Sequence, residues 1–200
     1  MVARFLFKDR DGRTELPEEF KRDLIPKDIK TGGDLDVHEE NNIVDGLIWL
    51  DDCDGDHTDS LFWMDLHKRL FGKVWKWAGK VRKHDLLNPD FNSPAYISQN
   101  IKQLEGDLKF WLTKSNFKDR REIAALFHER FLTIHPFPNG NGRTTRILTE
   151  YICKREGIVV PTWSSKMRGD PQKHRATYIE AVMRARHDKH AQLLLDFMYS

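Results

Sequence analysis

A mainly α-helical fold is predicted by two features of the sequence: apolar residues that recur at three- and four-residue spacing, and helix start and stop signals at the edges of those stretches. The clearest case runs from about Pro94 to Leu112, where Ile97, Ile101, Leu104, Leu108 and Trp111 fall on one face. Ser93 followed by Pro94 is a capping residue and a first-turn proline, which need no amide hydrogen there. A second helix, about Arg121 to Thr133, aligns Ile123, Phe127, Phe131 and Ile134 and ends at the Pro136 region. A third starts near Gly142, buries Ile147, Leu148, Tyr151 and Ile152, and ends before Gly157, a left-handed cap. Shorter helices are expected at about 36–50, 59–71, 171–185 and 189–199. Residues 80–93, "KVRKHDLLNPDFNS", read as an irregular or hairpin segment.

The chain of 200 residues suits one domain, or one domain with an arm, and is long enough to bury a core. Residues 1–33, with Pro17, Pro26 and the Gly32-Gly33 pair, read as an N-terminal arm before a domain at 34–200. The 33 Lys and Arg nearly balance the 31 Asp and Glu, so no overall charge favours a nucleic-acid partner. The start has too few apolar residues for a signal-peptide core, and no later run is long enough for a membrane span. Cys53 and Cys153 lack metal-ligand spacing and read as reduced packing residues. A soluble, cytoplasmic protein without a membrane partner is the expectation.

The chemistry concentrates in "HPFPNGNGRTTR", residues 135–146, between the second and third helices. Gly140, Asn141 and Gly142 let consecutive amides turn inward, and the helix that follows adds unpaired N–H groups and its positive dipole end. Together these form a nest for an anion. Arg143 and Arg146, three residues apart on a helix, share nearly one face and suit phosphate oxygens. His135 is placed as a base beside that anion. Phosphoryl or nucleotidyl transfer, driven by positioning and charge stabilisation, is the reaction class these residues imply.

The same twelve residues resemble the Fic family signature H-x-F-x-[D/E]-G-N-G-R-x-x-R, departing from it at Asn139 alone. "LHKRLFGKVWKWAGKVR" and "RATYIEAVMRARHDKHAQLLLDF" resemble further segments of that family, and the chain is similar to its small mobile mystery protein B subgroup. The resemblance implies a Fic-type helical bundle with a short β-hairpin flap. It implies a protein adenylyltransferase that moves AMP from ATP to a Ser, Thr or Tyr hydroxyl, with the toxin of a toxin–antitoxin pair as its expected role. His135 would be the base and Phe137 the anchor of the loop in the core. Asn141, with the Gly140 and Gly142 backbone, would hold the α-phosphate, and Arg143 and Arg146 the β- and γ-phosphates. The target would dock by strand addition on the flap, Lys80 to about Phe91. The family's acid binds Mg²⁺ at the position of Asn139, where an amide offers only a neutral oxygen.

The resemblance also implies restraint by a helix carrying [S/T]-x-x-x-E-[G/N], whose glutamate pairs with the second motif arginine. "DVHEENN" offers Glu40 for Arg146 within a segment at about 34–50, with Glu39 as the alternative register. An antitoxin partner is the other source of restraint. Two rivals to adenylyl transfer stand: a nucleotide-binding regulator with little transferase activity, and a transferase of UMP, phosphocholine or phosphate. The acidic "DDCDGDHTDS" is no EF-hand, because a register on Gly55 puts Leu50 and Leu61 at ligand positions; Thr58 or Asp59 reads as a helix cap. Phe71, Trp75 and Trp77 read as core, and His128 as a packed, hydrogen-bonded histidine.

Overall fold

The computed structural model describes residues 22–86, 90–114, 116–164, 169–188 and 191–200. Among them lie seven helices: α1 Gly32–Asp51, α2 Ser60–Phe71, α3 Pro94–Lys114, α4 Arg121–Ile134, α5 Asn141–Arg155, α6 Pro171–Asp188 and α7 Gln192–Tyr199. The expected helices are all present, and α1 starts a turn earlier than apolar spacing alone indicates. Its start is set by a capping box: Thr31 accepts from the Asp34 N–H while Asp34 accepts from the Thr31 N–H at 2.9 Å. The N–H groups of Thr31 and Lys30 hold the Asp34 carboxyl below the usual carboxylate range.

The chain folds as two compact units, one comprising residues up to Lys83 with Pro136–Thr144, the other His84–His135 with Thr145–Ser200. In the first unit α1 packs on α2. Leu35, Glu39, Asn42, Ile43, Gly46 and Leu50 form the buried face of α1 at three- and four-residue spacing. Asn42 ties the pair together, donating to the Arg69 carbonyl and accepting from the Lys73 N–H, both at 2.8 Å. Gly46 lets the helices approach closely, since a Cβ there would lie 2.8 Å from a Leu70 methyl and 3.1 Å from the Arg69 carbonyl. Gly46→Val is therefore expected to lower unfolding free energy by about 2 kcal/mol through overpacking. An unchanged urea midpoint would contradict that contact.

Asp59 caps α2 by accepting from Leu61 N–H, and Asp56 accepts from the Thr58 N–H at 2.8 Å. The acidic loop thus serves a turn and a cap. Phe71 and Trp75 are buried, as the core reading of that cluster expects. Residues 22–31 include Leu24, buried and bridged antiparallel to Trp75.

In the second unit α4 packs against α3, α6 and α7, and α6 against α7. Ile97, Ile101, Leu104 and Leu108 of α3, with Ile123, Phe127, Phe131 and Ile134 of α4, are buried as the spacing predicts, whereas Trp111 is half-buried. The expected hairpin at Lys80–Phe91 shows no strand in its described residues, and Leu87, Asn88 and Pro89 lie outside them. Within each unit one foot of the segment bonds to the chain around the motif. Arg82 N–H donates to the Pro136 carbonyl at 2.8 Å in the first unit, and Asn92 N–H to the Thr133 carbonyl at 3.1 Å in the second. Among the described residues, no helix is long and apolar enough to cross a membrane.

Candidate active site

The motif begins at the C-terminal end of α4. His135 caps that helix in the left-handed conformation, φ 49° and ψ 60°, and its N–H donates to the Phe131 carbonyl at 3.0 Å. Glycine is the usual residue in that conformation, so a histidine there carries a strain of about 1–3 kcal/mol. Its Nδ1 lies 3.2 Å from the Leu132 carbonyl. A carbonyl only accepts, so Nδ1 carries the proton, and it is Nε2 that holds the lone pair whenever the ring is neutral. Phe91 stacks on the imidazole with centroids 3.8 Å apart, a partner that sequence spacing does not reveal.

The turn itself belongs to the first unit. Phe137 is fully buried and stacks on His67 at 3.6 Å. Gly140 adopts φ 78°, and a Cβ there would lie 2.7 Å from a Phe71 ring carbon, so the turn rests directly on α2. The Asn141 side chain closes on the backbone of the loop. Its Oδ1 accepts from Phe137 N–H at 2.9 Å and its Nδ2 donates to the Phe137 carbonyl at 2.7 Å. Both ends of the amide close on one backbone residue, and Asn141 is 2% exposed, so this side chain is the clasp of the loop.

Asn139 turns its Oδ1 onto the Gly140 N–H at 2.7 Å. That oxygen is neutral and already accepts a hydrogen bond, which does not fit a Mg²⁺ ligand. The same contact covers one of the amides expected to cradle phosphate. Gly142 lies in the first turn of α5, whose amides open toward the loop.

Arg143 stacks over Phe71 at 4.7 Å and pairs with Glu39, Nη1 to Oε2, at 2.6 Å. Glu39 is 5% exposed and its other oxygen accepts from Trp75 Nε1–H at 2.7 Å. Where the resemblance implies Glu40 on Arg146, the ion pair observed is Glu39 on Arg143. The reason is helical phase. Glu39 shares the buried face with Leu35, Asn42 and Ile43, while Glu40, one residue on, is turned about 100° away and half-buried. Only the packing partner of α1 decides between adjacent glutamates, and the sequence does not display it.

Arg146, in the second unit, is 6% exposed with its guanidinium 5.3 Å over the Tyr178 ring. His128 is fully buried; its Nε2 lies 2.9 Å from Tyr178 Oη and its Nδ1 3.1 Å from Thr149 Oγ1. Thr149 donates its own hydrogen to the Thr145 carbonyl, so His128 Nδ1–H donates to Thr149 and the Tyr178 hydroxyl donates to Nε2. Burial, then the Arg146 charge, pushes the His128 pKa well down and keeps the ring neutral. The reading of His128 as a packed, hydrogen-bonded histidine holds.

Residues 58–153 match the Fic/DOC family. A protein adenylyltransferase, fic-1 of Caenorhabditis elegans, is 32% identical over 100 residues, 48% of this chain and 19% of that protein. The protein adenylyltransferase VbhT of Bartonella schoenbuchensis is 32% identical over 99 residues, 46% of this chain and 20% of that protein. The chain thus spans about a fifth of the length of these relatives. Among solved structures, the effector protein BepC of Bartonella tribocorum with bound AMPPNP aligns over 97% of this chain and 93% of its own, with a TM-score of 0.67 and 22% identity. An N-terminal Fic domain of Bartonella quintana with bound ADP aligns over 98% and 92%, with a TM-score of 0.67 and 20% identity. These likenesses establish a shared fold. The motif at 135–146 lies inside the segment, residues 58–153, that matches the Fic/DOC family.

Proposed function

We propose that the chain is a protein adenylyltransferase acting through residues 34–200; of the expected arm at 1–33, residues 1–21 lie outside the described residues. His135 Nε2 takes the proton of a target Ser, Thr or Tyr hydroxyl. The oxygen attacks the α-phosphorus of ATP, forming the new P–O bond as the bond to the β-phosphate oxygen breaks and pyrophosphate leaves. The Gly140 and Gly142 amides and Arg143 and Arg146 stabilise the phosphate charge. Asn141 contributes by holding the loop shut on Phe137. The observation that carries this reading is the hydrogen-bonded tautomer of His135, which puts the basic nitrogen at Nε2 on the residue that leads into the glycine turn. Relatives named as adenylyltransferases and solved neighbours holding AMPPNP and ADP support ATP as donor.

The target docks on the segment from Lys80 to Phe91. The cytoplasm is the compartment that supplies both ATP and target. Incubation of a host lysate with ATP and the protein, followed by peptide mass spectrometry, is expected to yield AMP-bearing Ser, Thr or Tyr peptides. A lysate modified by UMP, phosphocholine or phosphate would instead identify another donor.

A second reading, a nucleotide-binding regulator with little transferase activity, is favoured by two contacts: Asn139 Oδ1 on the Gly140 N–H, and Glu39 on Arg143. Both occupy groups that an ATP phosphate requires. Magnesium in this reading and the first travels with the nucleotide phosphates and water. Asn139→Asp adds a carboxylate to hard-cation chemistry and is expected to lower the Mg²⁺ concentration for half-maximal activity several-fold. An unchanged magnesium dependence would place the ion away from residue 139.

A further inference from the structure

His67 of α2 is fully buried in the first unit and has no part in the chemistry above. Its Nδ1 accepts from the Gly79 N–H at 2.9 Å, and its Nε2 lies 3.1 Å from the Asn139 carbonyl. An amide N–H can only donate and a carbonyl can only accept, so one arrangement satisfies both: Nδ1 bare, Nε2 protonated and donating to Asn139. Burial, reinforced by the nearby Arg143 charge, pushes the His67 pKa down to about 3 against the opposing bond to Asn139. The ring is neutral at any working pH and holds both bonds.

We propose that His67 is a positioning residue for the phosphate-binding turn, setting the orientation of the Asn139–Gly140 peptide. A trans peptide directs its C=O and its N–H to opposite sides. With the Asn139 carbonyl drawn onto His67, the Gly140 N–H faces away from α2, the direction in which it meets Asn139 Oδ1. An incoming phosphate oxygen takes that N–H by displacing the Asn139 side chain. Rotation of the peptide would bury the donor and aim a carbonyl at the anion instead. The ring is itself fixed, stacked on Phe137 at 3.6 Å with planes 19° apart and flanked by Phe71 at 4.9 Å. A Cβ at Gly140 would come within 3.2 Å of His67 Nε2, so turn and ring are in direct register.

This inference rests on the adenylyltransferase reading for its consequence, though not for its geometry. The test compares wild type, His67→Phe and His67→Gln by calorimetric titration with a non-hydrolysable ATP analogue, and follows the Gly140 amide resonance without nucleotide. His67→Phe keeps the stack and loses both hydrogen bonds. It is expected to weaken nucleotide binding by about tenfold or more and to shift the Gly140 resonance. His67→Gln, whose amide N–H reaches the Asn139 carbonyl, is expected to recover most of both.

Should His67→Phe fail to fold, His67→Asn replaces it: an amide too short for Asn139 should bind nucleotide as poorly as His67→Gln binds well. Wild-type affinity and an unmoved Gly140 resonance in the variants that break the Asn139 bond would overturn the proposal, as would a Gln variant no better than Phe or Asn. If wild type binds no nucleotide, the adenylyltransferase reading fails, while the Gly140 resonance still decides the role of His67.

Discussion

His135→Ala is expected to lower AMP transfer by about 10²–10⁴-fold and to leave ATP binding nearly unchanged. The separation follows from where the residue stands. His135 belongs to the end of α4, with its Nδ1 proton fixed on the Leu132 carbonyl, so what it offers is the Nε2 lone pair. Phosphate binding is assigned to other groups, the amides of the turn and the two arginines. Single-turnover transfer and analogue binding, measured on the same preparation, check the split. Wild-type turnover in the alanine variant would remove His135 from the mechanism, and a large loss of nucleotide affinity would mean that the ring also serves the anion. Because the backbone at 135 is left-handed, His135→Gly separates strain from chemistry: it should be as inactive as alanine and more stable than it.

Glu39→Gln is expected to raise automodification or target modification by roughly 10–100-fold, the loss of one buried charge-assisted bond to an arginine that the phosphates need. Glutamine is the informative replacement. Its carbonyl oxygen can still accept from Trp75 Nε1–H, so that buried donor keeps a partner, while its NH₂ meets the Arg143 guanidinium donor to donor and releases it. A glycine at 39 would orphan the Trp75 N–H and confuse release with destabilisation. Glu40→Gln is the control, one residue on and off the buried face, and should leave activity near wild type. If Glu39→Gln is no more active while the His135 variant is inactive, restraint by α1 is wrong and a separate antitoxin becomes the source of any inhibition.

The helices were legible because each carries its own record: Ile97, Ile101, Leu104 and Leu108 mark one face of α3 whatever they pack against. Motif residues were legible for a related reason, since a base, a glycine turn and two arginines lie within twelve consecutive positions. What stayed hidden are contacts between distant segments. Glu39 meets Arg143 across 104 residues and His67 meets Asn139 across 72. Asn141 shows a contact of the local kind. Its position in the motif suggested a ligand contact, yet a short polar side chain beside a free backbone has a local alternative, and here it takes both hydrogen bonds of Phe137.

Two samples of ATP, one radiolabelled at the α-phosphate and one at the γ-phosphate, test adenylyl transfer most directly. Each is incubated with a host lysate and with Glu39→Gln protein, with and without His135→Ala, and the proteins are separated from nucleotide. The mechanism predicts protein-bound label from α-labelled ATP alone, abolished by His135→Ala. Label from γ-labelled ATP would make the reaction a phosphorylation, and no label from either would contradict transfer from ATP.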